Sequence, residues 1–395
     1  MLKNYFTTKL LVIFCFFFTS LGFSQTQKQI QKITRDYNLE GLEALKTKNE
    51  KVFFADYNET LRLANRNSWP IRYKDGNTLY SIKEVIKGKP IYWATDSQEQ
   101  AISTRTNFLH STGLLGLNLE GQDMTVYLWE VDAVALLGHR EYDGPGGDNR
   151  FTVGDDETAV SDHAGLVTGI IMASGVLPSA KGMAPQAKAI GYNQLNDLAE
   201  ATAAVANGML VSNHSYGVPT DSYENDLSFL IGAYTQQARD WDELMFNAPY
   251  YLPVLSAGNS GDDNTSNITP LGGDSTFDKL TGDKVSKNNL VVASSEAAVI
   301  NADGSLSSVV RSGFSSEGPT DDYRIKPDIM GHGSNVSSTG SLDASSYVTN
   351  DGTSFSAPNV SGSLILLQQH YNNINNNYMR AATLKGLALH TADDT

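Results

Sequence analysis

From about residue 93 onward, short apolar runs alternate with stretches rich in alanine, glycine and other small residues. The apolar runs at 125–132, 189–192, 209–212, 252–256 and 289–293 read as strands. The stretches at 162–173, 195–207, 227–246 and 354–371 read as helices. Strands separated by helices lie parallel, because each helical crossover returns the chain to the same end of the sheet. Runs this continuously apolar leave no polar face for water, so helices must cover both sides. The fold class expected is α/β: a doubly wound, mainly parallel sheet with helices on both faces.

The preceding segment differs. Residues 25–92 carry lysines and helix-forming polar residues as far as Asn65. A strand-like stretch follows at 70–73, and an Asp75-Gly76 turn signal leads to a second at 79–82. This reads as a small α+β unit. Before it, Lys3 and Lys9 precede an apolar run at 10–18, followed by the small residues Ser20, Gly22 and Ser24. That is the pattern of a cleaved export leader, and the run is shorter than the ~20 residues a spanning helix needs. The divisions expected are a leader at 1–24, the α+β unit at 25–92 and the main domain at 93–395. Cleavage after Ser24 would remove the single cysteine, Cys15, and with it any disulfide or thiolate metal site. The protein is expected outside the cell or at its surface, with no membrane span once the leader is gone.

Composition narrows the partners. The chain has 395 residues, with 29 Lys+Arg against 44 Asp+Glu, a formal charge of −15. Nucleic-acid binding needs a basic field and is not expected. Hydrophobic residues make up 40% and charged residues 18%, enough for a packed core.

Four segments carry candidate chemistry. Ser354 lies between Gly352-Thr353 and an apolar helical run with Pro358 early in it, so it sits at a helix start. First-turn amides are unpaired there and the helix dipole favours a developing negative charge. His163 opens a helix of small residues, a rigid place for a base. An apolar strand runs into Trp129-Glu130-Val131-Asp132, with an acid beyond its carboxyl end. Another strand runs into Ser256-Ala257-Gly258-Asn259, where an amide can face a cleft. Each alone has a plain structural reading, such as a serine helix cap or an Asn-Gly turn. Together they supply an orienting carboxylate, a base, an oxyanion donor and a nucleophile.

At this point the chain resembles the subtilisin-like serine proteases, the subtilases. His163-Ala164-Gly165-Leu166-Val167-Thr168-Gly169 is similar to the family's histidine segment, and Gly352-Thr353-Ser354-Phe355-Ser356-Ala357-Pro358 to its nucleophile segment. Ser256-Ala257-Gly258-Asn259 is similar to the oxyanion segment. Ser315-Ser316-Glu317-Gly318-Pro319 and Lys326-Pro327-Asp328-Ile329 resemble the loop and strand before the nucleophile, and Lys181-Gly182-Met183-Ala184-Pro185 the turn after the histidine helix. The resemblance implies a secreted endopeptidase with Ser354 as nucleophile, His163 as base and Asn259 as oxyanion donor. Its substrates would be polypeptides, lying along Ser215, Tyr216 and Gly217 on one side and Ala257 and Gly258 on the other. It also implies that residues 25–92 are a pro-segment, that the domain at 93–395 is incomplete at its C-terminal end, and that the protein works as a monomer. No cofactor is implied.

Three further points keep alternatives open. The acidic loop at 143–158 offers Asp143, Asp148, Asp155, Asp156 and Glu157 to a structural calcium, but lacks the regular calcium-loop spacing. His214 reads equally as a pocket residue or a structural histidine. The acid segment departs from the family pattern, with Val134 where a glycine is usual, and leaves Asp132 and Glu130 as candidates. Asp132 is favoured: it stands seven residues before His139, and the shorter carboxylate suits a fixed acid–imidazole geometry. The irregularity also motivates a second reading, a catalytically weak subtilase-like protein that binds peptides or proteins.

Overall fold

The structure, a computed structural model, describes residues 39–75, 78–94, 99–144, 146–223 and 225–394. The expected leader at 1–24, the first part of the 25–92 segment and Gly76 of the turn lie outside the described residues. Two compact units are present. One runs through Tyr73 and takes in Leu79–Ala94; the other comprises Lys74–Thr78 and Thr95–Thr395.

The N-terminal unit has a long helix, α1 (Leu39–Asn67), followed by β1 (Arg72–Asp75), β2 (Thr78–Ile86) and β3 (Lys89–Ala94). The strands form one sheet in that order, with β2 and β3 antiparallel.

The larger unit begins with α2 (Glu99–Ser103), then β4 (Thr125–Glu130), β5 (Phe151–Val153), α3 (Asp162–Met172), β6 (Lys188–Asn193) and α4 (Asp197–Ala206). It continues with β7 (Val211–His214), α5 (Gln236–Asn247), β8 (Leu252–Ser256), β9 (Leu290–Ser295), β10 (Val299–Ile300) and β11 (Leu306–Ser308). The last elements are β12 (Ile329–His332), β13 (Val336–Thr339), β14 (Tyr347–Asn350), α6 (Thr353–Asn375) and α7 (Ala381–Thr391). Seven strands make the central sheet in the order β12-β9-β8-β7-β4-β6-β5, and every adjacent pair is parallel. The chain starts in the middle at β4, builds out to β5 and β6, then crosses to the other side at β7. This doubly wound α/β arrangement is the fold the strand–helix alternation implied.

Side chains alternate along each strand and so feed two cores. On one face Val126, Leu128, Val254 and Val292 pack with Ile171 of α3 and Val360, Leu364 and Ile365 of α6. On the other, Trp129 packs with Ala201 and Ala204 of α4 and Trp241, Leu244 and Met245 of α5. Small residues on α3 let it approach β13. A Cβ on Gly165 would stand 2.8 Å from the Thr339 carbonyl oxygen. Asp328 ties the sheet edge: its carboxylate accepts from the Val291 amide (2.8 Å) and pairs with Lys326 (2.6 Å) and Lys385 (3.0 Å).

Several boundaries differ from the sequence reading. The helix expected at 227–246 is a 3₁₀ stretch, Asn225–Leu230, followed by α5. Gly232 between them has φ of 78°, which a continuing right-handed helix does not allow. The strand expected at 209–212 starts two residues later and reaches His214. The strand expected at 125–132 stops at Glu130. Its last ladder partner is Asn193 of β6, and beyond it the backbone turns, with Asp132 at φ 48°.

Candidate active site

The site lies at the carboxyl ends of β4, β7 and β8, next to the point where the sheet reverses direction. That is where clefts open in doubly wound sheets. Glu130 ends β4, residues 215–217 follow β7, and Asn259 stands three residues beyond β8. His163 and Ser354 come from the first turns of α3 and α6.

The acid is where the structure departs most from the sequence reading. Asp132 does not reach His163. It is exposed, its amide donates to Gln194 Oε1 (2.9 Å), and Gln194 Nε2 donates back to its carboxylate (3.4 Å). The preference for Asp132 rested on its offset from His139 and on its shorter carboxylate. The strand ends at Glu130, and the turn beyond it carries Asp132 away. Instead Glu130 Oε2 stands 2.6 Å from His163 Nδ1. The carboxylate is buried, with 1% of its side chain exposed against 40% for His163. His139, whose offset had favoured Asp132, is buried and structural. Its Nδ1 accepts from the Glu141 amide and its Nε2 bonds the Ser346 carbonyl (2.8 Å).

The electrostatics of the pair follow from this geometry. Burial pulls the imidazole pKa down, but the charge of Glu130 and its hydrogen bond outweigh burial and leave His163 above the ordinary value. Burial raises the Glu130 carboxyl, against a lowering from His163. With Nδ1–H donated to Glu130, Nε2 is the nitrogen left to face the cleft. Local sequence holds the ring in place: Ser161 caps α3, its Oγ accepting from the Ala164 amide (3.1 Å). The His163 ring lies 5.4 Å from the Phe355 ring, which sets it beside the start of α6.

Ser354 Oγ donates to the Ser215 carbonyl (3.0 Å), and Ser215 Oγ donates to the Ser354 carbonyl (2.7 Å). No hydrogen bond joins Ser354 to His163 among the described residues. Such bonds are often loose before substrate binds, and a hydroxyl turns by rotation of one side-chain bond. The Ser354 amide is in the first turn of α6, with no helical carbonyl four residues back to accept from it.

Asn259 is oriented without ambiguity. The Thr353 backbone amide, which can only donate, lies 2.9 Å from its Oδ1, and the Thr353 hydroxyl donates to the same atom at 2.9 Å. The Asn259 NH₂ is therefore the end left to donate elsewhere. Thr353 in turn accepts from the Gly258 amide (3.0 Å), and Ser316 Oγ accepts from the Ser260 amide (3.0 Å). Thr353, next to Ser354, thus aims the Asn259 amide.

The segments expected to flank substrate form the two walls of a cleft of ≈ 240 Å³ beside Ser354. Tyr216 and Gly217 line one side, and Ala257, Gly258 and Asn259 the other. Ser215 is buried behind the first of these walls, bonded to Ser354. His214 is not a cleft residue. It is fully buried, stacked on Trp129 at 5.1 Å and bonded to Ser212 Oγ and Tyr216 OH. Burial, with the nearby Lys284 charge, pushes its pKa down to about 3, so it stays neutral. Lys284 lines the cleft and carries no motif that would have singled it out.

In the acidic loop, Asp155 and Glu157 are turned inward onto amides. Asp155 accepts from the Asn193 and Glu157 amides, and Glu157 from those of Thr158 and Ala159. Among the described residues no group of three or more His, Cys, Asp or Glu is arranged to hold a metal ion.

The model of the subtilase family matches residues 141–395. A PII-type proteinase from Lactococcus lactis subsp. cremoris is 42% identical over 79 residues, 20% of this chain and 4% of that protein. A PII-type proteinase from Lacticaseibacillus paracasei matches to the same extent. The chain thus spans a small fraction of the length of these relatives. Among solved structures, the Clostridium perfringens CspB protease superposes with a TM-score of 0.54 at 16% identity, covering 74% of this chain and 93% of that one. A cold adapted subtilisin-like serine proteinase gives 0.45 at 21% identity, covering 70% and 85%.

Proposed function

Because the chain belongs to the subtilase family, we propose that it is a serine endopeptidase whose acid is Glu130, with His163 as base, Ser354 as nucleophile and Asn259 as oxyanion donor. The observation that carries the reading is the 2.6 Å bond between Glu130 and His163, formed beside a helix-start serine. Ser354 Oγ attacks the peptide carbonyl and passes its proton to His163 Nε2. Glu130 holds Nδ1–H and stabilises the imidazolium. The oxyanion accepts from Asn259 Nδ2 and the Ser354 amide. His163 then protonates the departing amine, and the acyl group on Ser354 leaves to water by the same steps in reverse.

Residues 25–92 are proposed to be a pro-segment removed by the protein's own activity, and export by the 1–24 leader would place cleavage outside the cytoplasm. No helix among the described residues is long and apolar enough to cross a membrane. The second reading, binding without hydrolysis, drew on the irregular acid segment; a buried glutamate on His163 supports turnover instead. A fluorophosphonate probe tests the choice. Covalent labelling of Ser354, lost in Glu130→Gln and His163→Ala, is expected. An unlabelled protein that still binds peptides would establish the second reading.

A further inference from the structure

The cleft beside Ser354 has an unusual electrostatic character for a chain of charge −15. Two lysines line it, Lys279 and Lys284, and no aspartate or glutamate does. Both are buried, at 3% and 2% exposure. Lysines are almost never this buried without a partner that uses the charge.

The two are not equivalent. Lys279 Nζ is taken up by the Gly261 carbonyl and by Asn264 Oδ1 (2.7 Å), and Glu317, Asp263 and Asp262 lie near enough to support its charge. Lys284 is on the 3₁₀ turn Gly282–Val285, and its ammonium makes one hydrogen bond among the described residues, to the Tyr216 carbonyl at 2.6 Å. It forms no salt bridge among the described residues. An ammonium carries three N–H groups, so two remain to be used. Burial pulls the Lys284 pKa down, and the charge of the buried Asp283 offsets this only in part.

Its position is specific to the cleft. A Cβ on Gly217 would stand 2.1 Å from Lys284 Nζ, and one on Gly258 would stand 3.8 Å from its Cε. The ammonium therefore reaches between the two walls, where only a glycine at 217 leaves it room. The cleft volume of ≈ 240 Å³ leaves room for a side chain beside the ammonium.

We propose that Lys284 makes this cleft an acid-selecting pocket, so that the protein cleaves after a glutamate or aspartate whose carboxylate accepts from the Lys284 ammonium. This rests on the endopeptidase reading above. An anionic side chain would complete the donors of a buried cation, whereas a basic one would bring like charges together in a site of low polarity. A neutral amide of the same shape keeps the hydrogen-bonding atoms but not the charge, which makes glutamine the informative control.

The experiment is a kcat/KM series on peptides that differ only at the residue before the scissile bond: Glu, Asp, Gln, Leu and Lys. The expected result is at least about tenfold preference for Glu over Gln, with Lys poorest, as charge-assisted hydrogen bonds in a buried site imply. Lys284→Met should abolish the Glu-to-Gln ratio, whatever its absolute rate, and Lys284→Arg should retain it in part. If Lys284→Met does not fold, the wild-type ratio alone decides. Equal rates on Glu and Gln, or a Leu or Lys optimum, would overturn the pocket assignment and leave the endopeptidase reading intact. If no peptide is cut, the hydrolytic reading fails. The same Glu-to-Gln ratio, read as dissociation constants for the uncut peptides, then decides the pocket.

Discussion

Two carboxylates two positions apart, Glu130 and Asp132, differ completely in environment: one buried on an imidazole, the other exposed on a glutamine. If the acid holds the imidazole tautomer, Glu130→Gln should lower kcat by ~10⁴ without unfolding the protein. Asp132→Asn should leave most activity. Measuring kcat for both variants checks the ranking. The pH profile carries the same information. His163 must be neutral to act as base, and its pKa is raised, so the acid limb of kcat/KM should lie above the ordinary ~6.5. In Glu130→Gln the raising influence is gone and burial remains, so the limb should move to lower pH. Asn259→Ala should lower kcat by ~10²–10³ with little change in KM, since its free NH₂ meets charge that exists only after attack. Motif context singled out His163, Asn259 and Ser354 and left Glu130 and Asp132 both open. It favoured the carboxylate that does not meet His163, because where a strand ends is fixed by its ladder partners and not by its own alternation.

Helix α3 shows how an element serves the site. It brings His163 to the cleft and lies against β13 through Gly165 and Gly169, where added Cβ atoms would meet Thr339 and Ser338. In Gly165→Ala two effects oppose. Helix propensity gains ~1 kcal/mol, and crowding against a backbone carbonyl at 2.8 Å costs ~1–3 kcal/mol. The carbonyl belongs to a paired strand and yields little, so crowding should win. A net loss of ~1 kcal/mol is expected in chemical denaturation, with a fall in kcat as α3 shifts. The period of small residues made this helix recognisable in the sequence. The helix expected at 227–246 was not read correctly, since a positive φ at Gly232 interrupts an otherwise continuous apolar pattern.

The chain divides into an N-terminal α+β unit and a larger unit built on the seven-stranded sheet. A protease that is exported must be silent until it is outside, and the composition break near residue 93 is where such control would be cut away. In a host without other proteases, wild-type protein should lose its N-terminal segment while Ser354→Ala keeps it. Intact-mass measurement of both purified chains checks this. Removal on the same schedule in Ser354→Ala would mean that another protease does the processing.

Periodicity and motif spacing were enough to specify a parallel sheet wrapped on both faces, and to mark a serine and a histidine at helix starts and an asparagine just past a strand end. These are local properties: each depends on residues within one or two turns of the chain. What could not be read locally was every feature made by residues far apart. Glu130 is the partner of His163 because β4 loses its neighbour at Asn193, and Gln194 captures the turn that carries Asp132 away. Lys284 enters the cleft because the turn that carries it packs against Tyr216 and Gly217, segments remote in sequence. A carboxylate or an ammonium acquires its role from what desolvates and pairs it, and those partners are brought together only when the chain has folded.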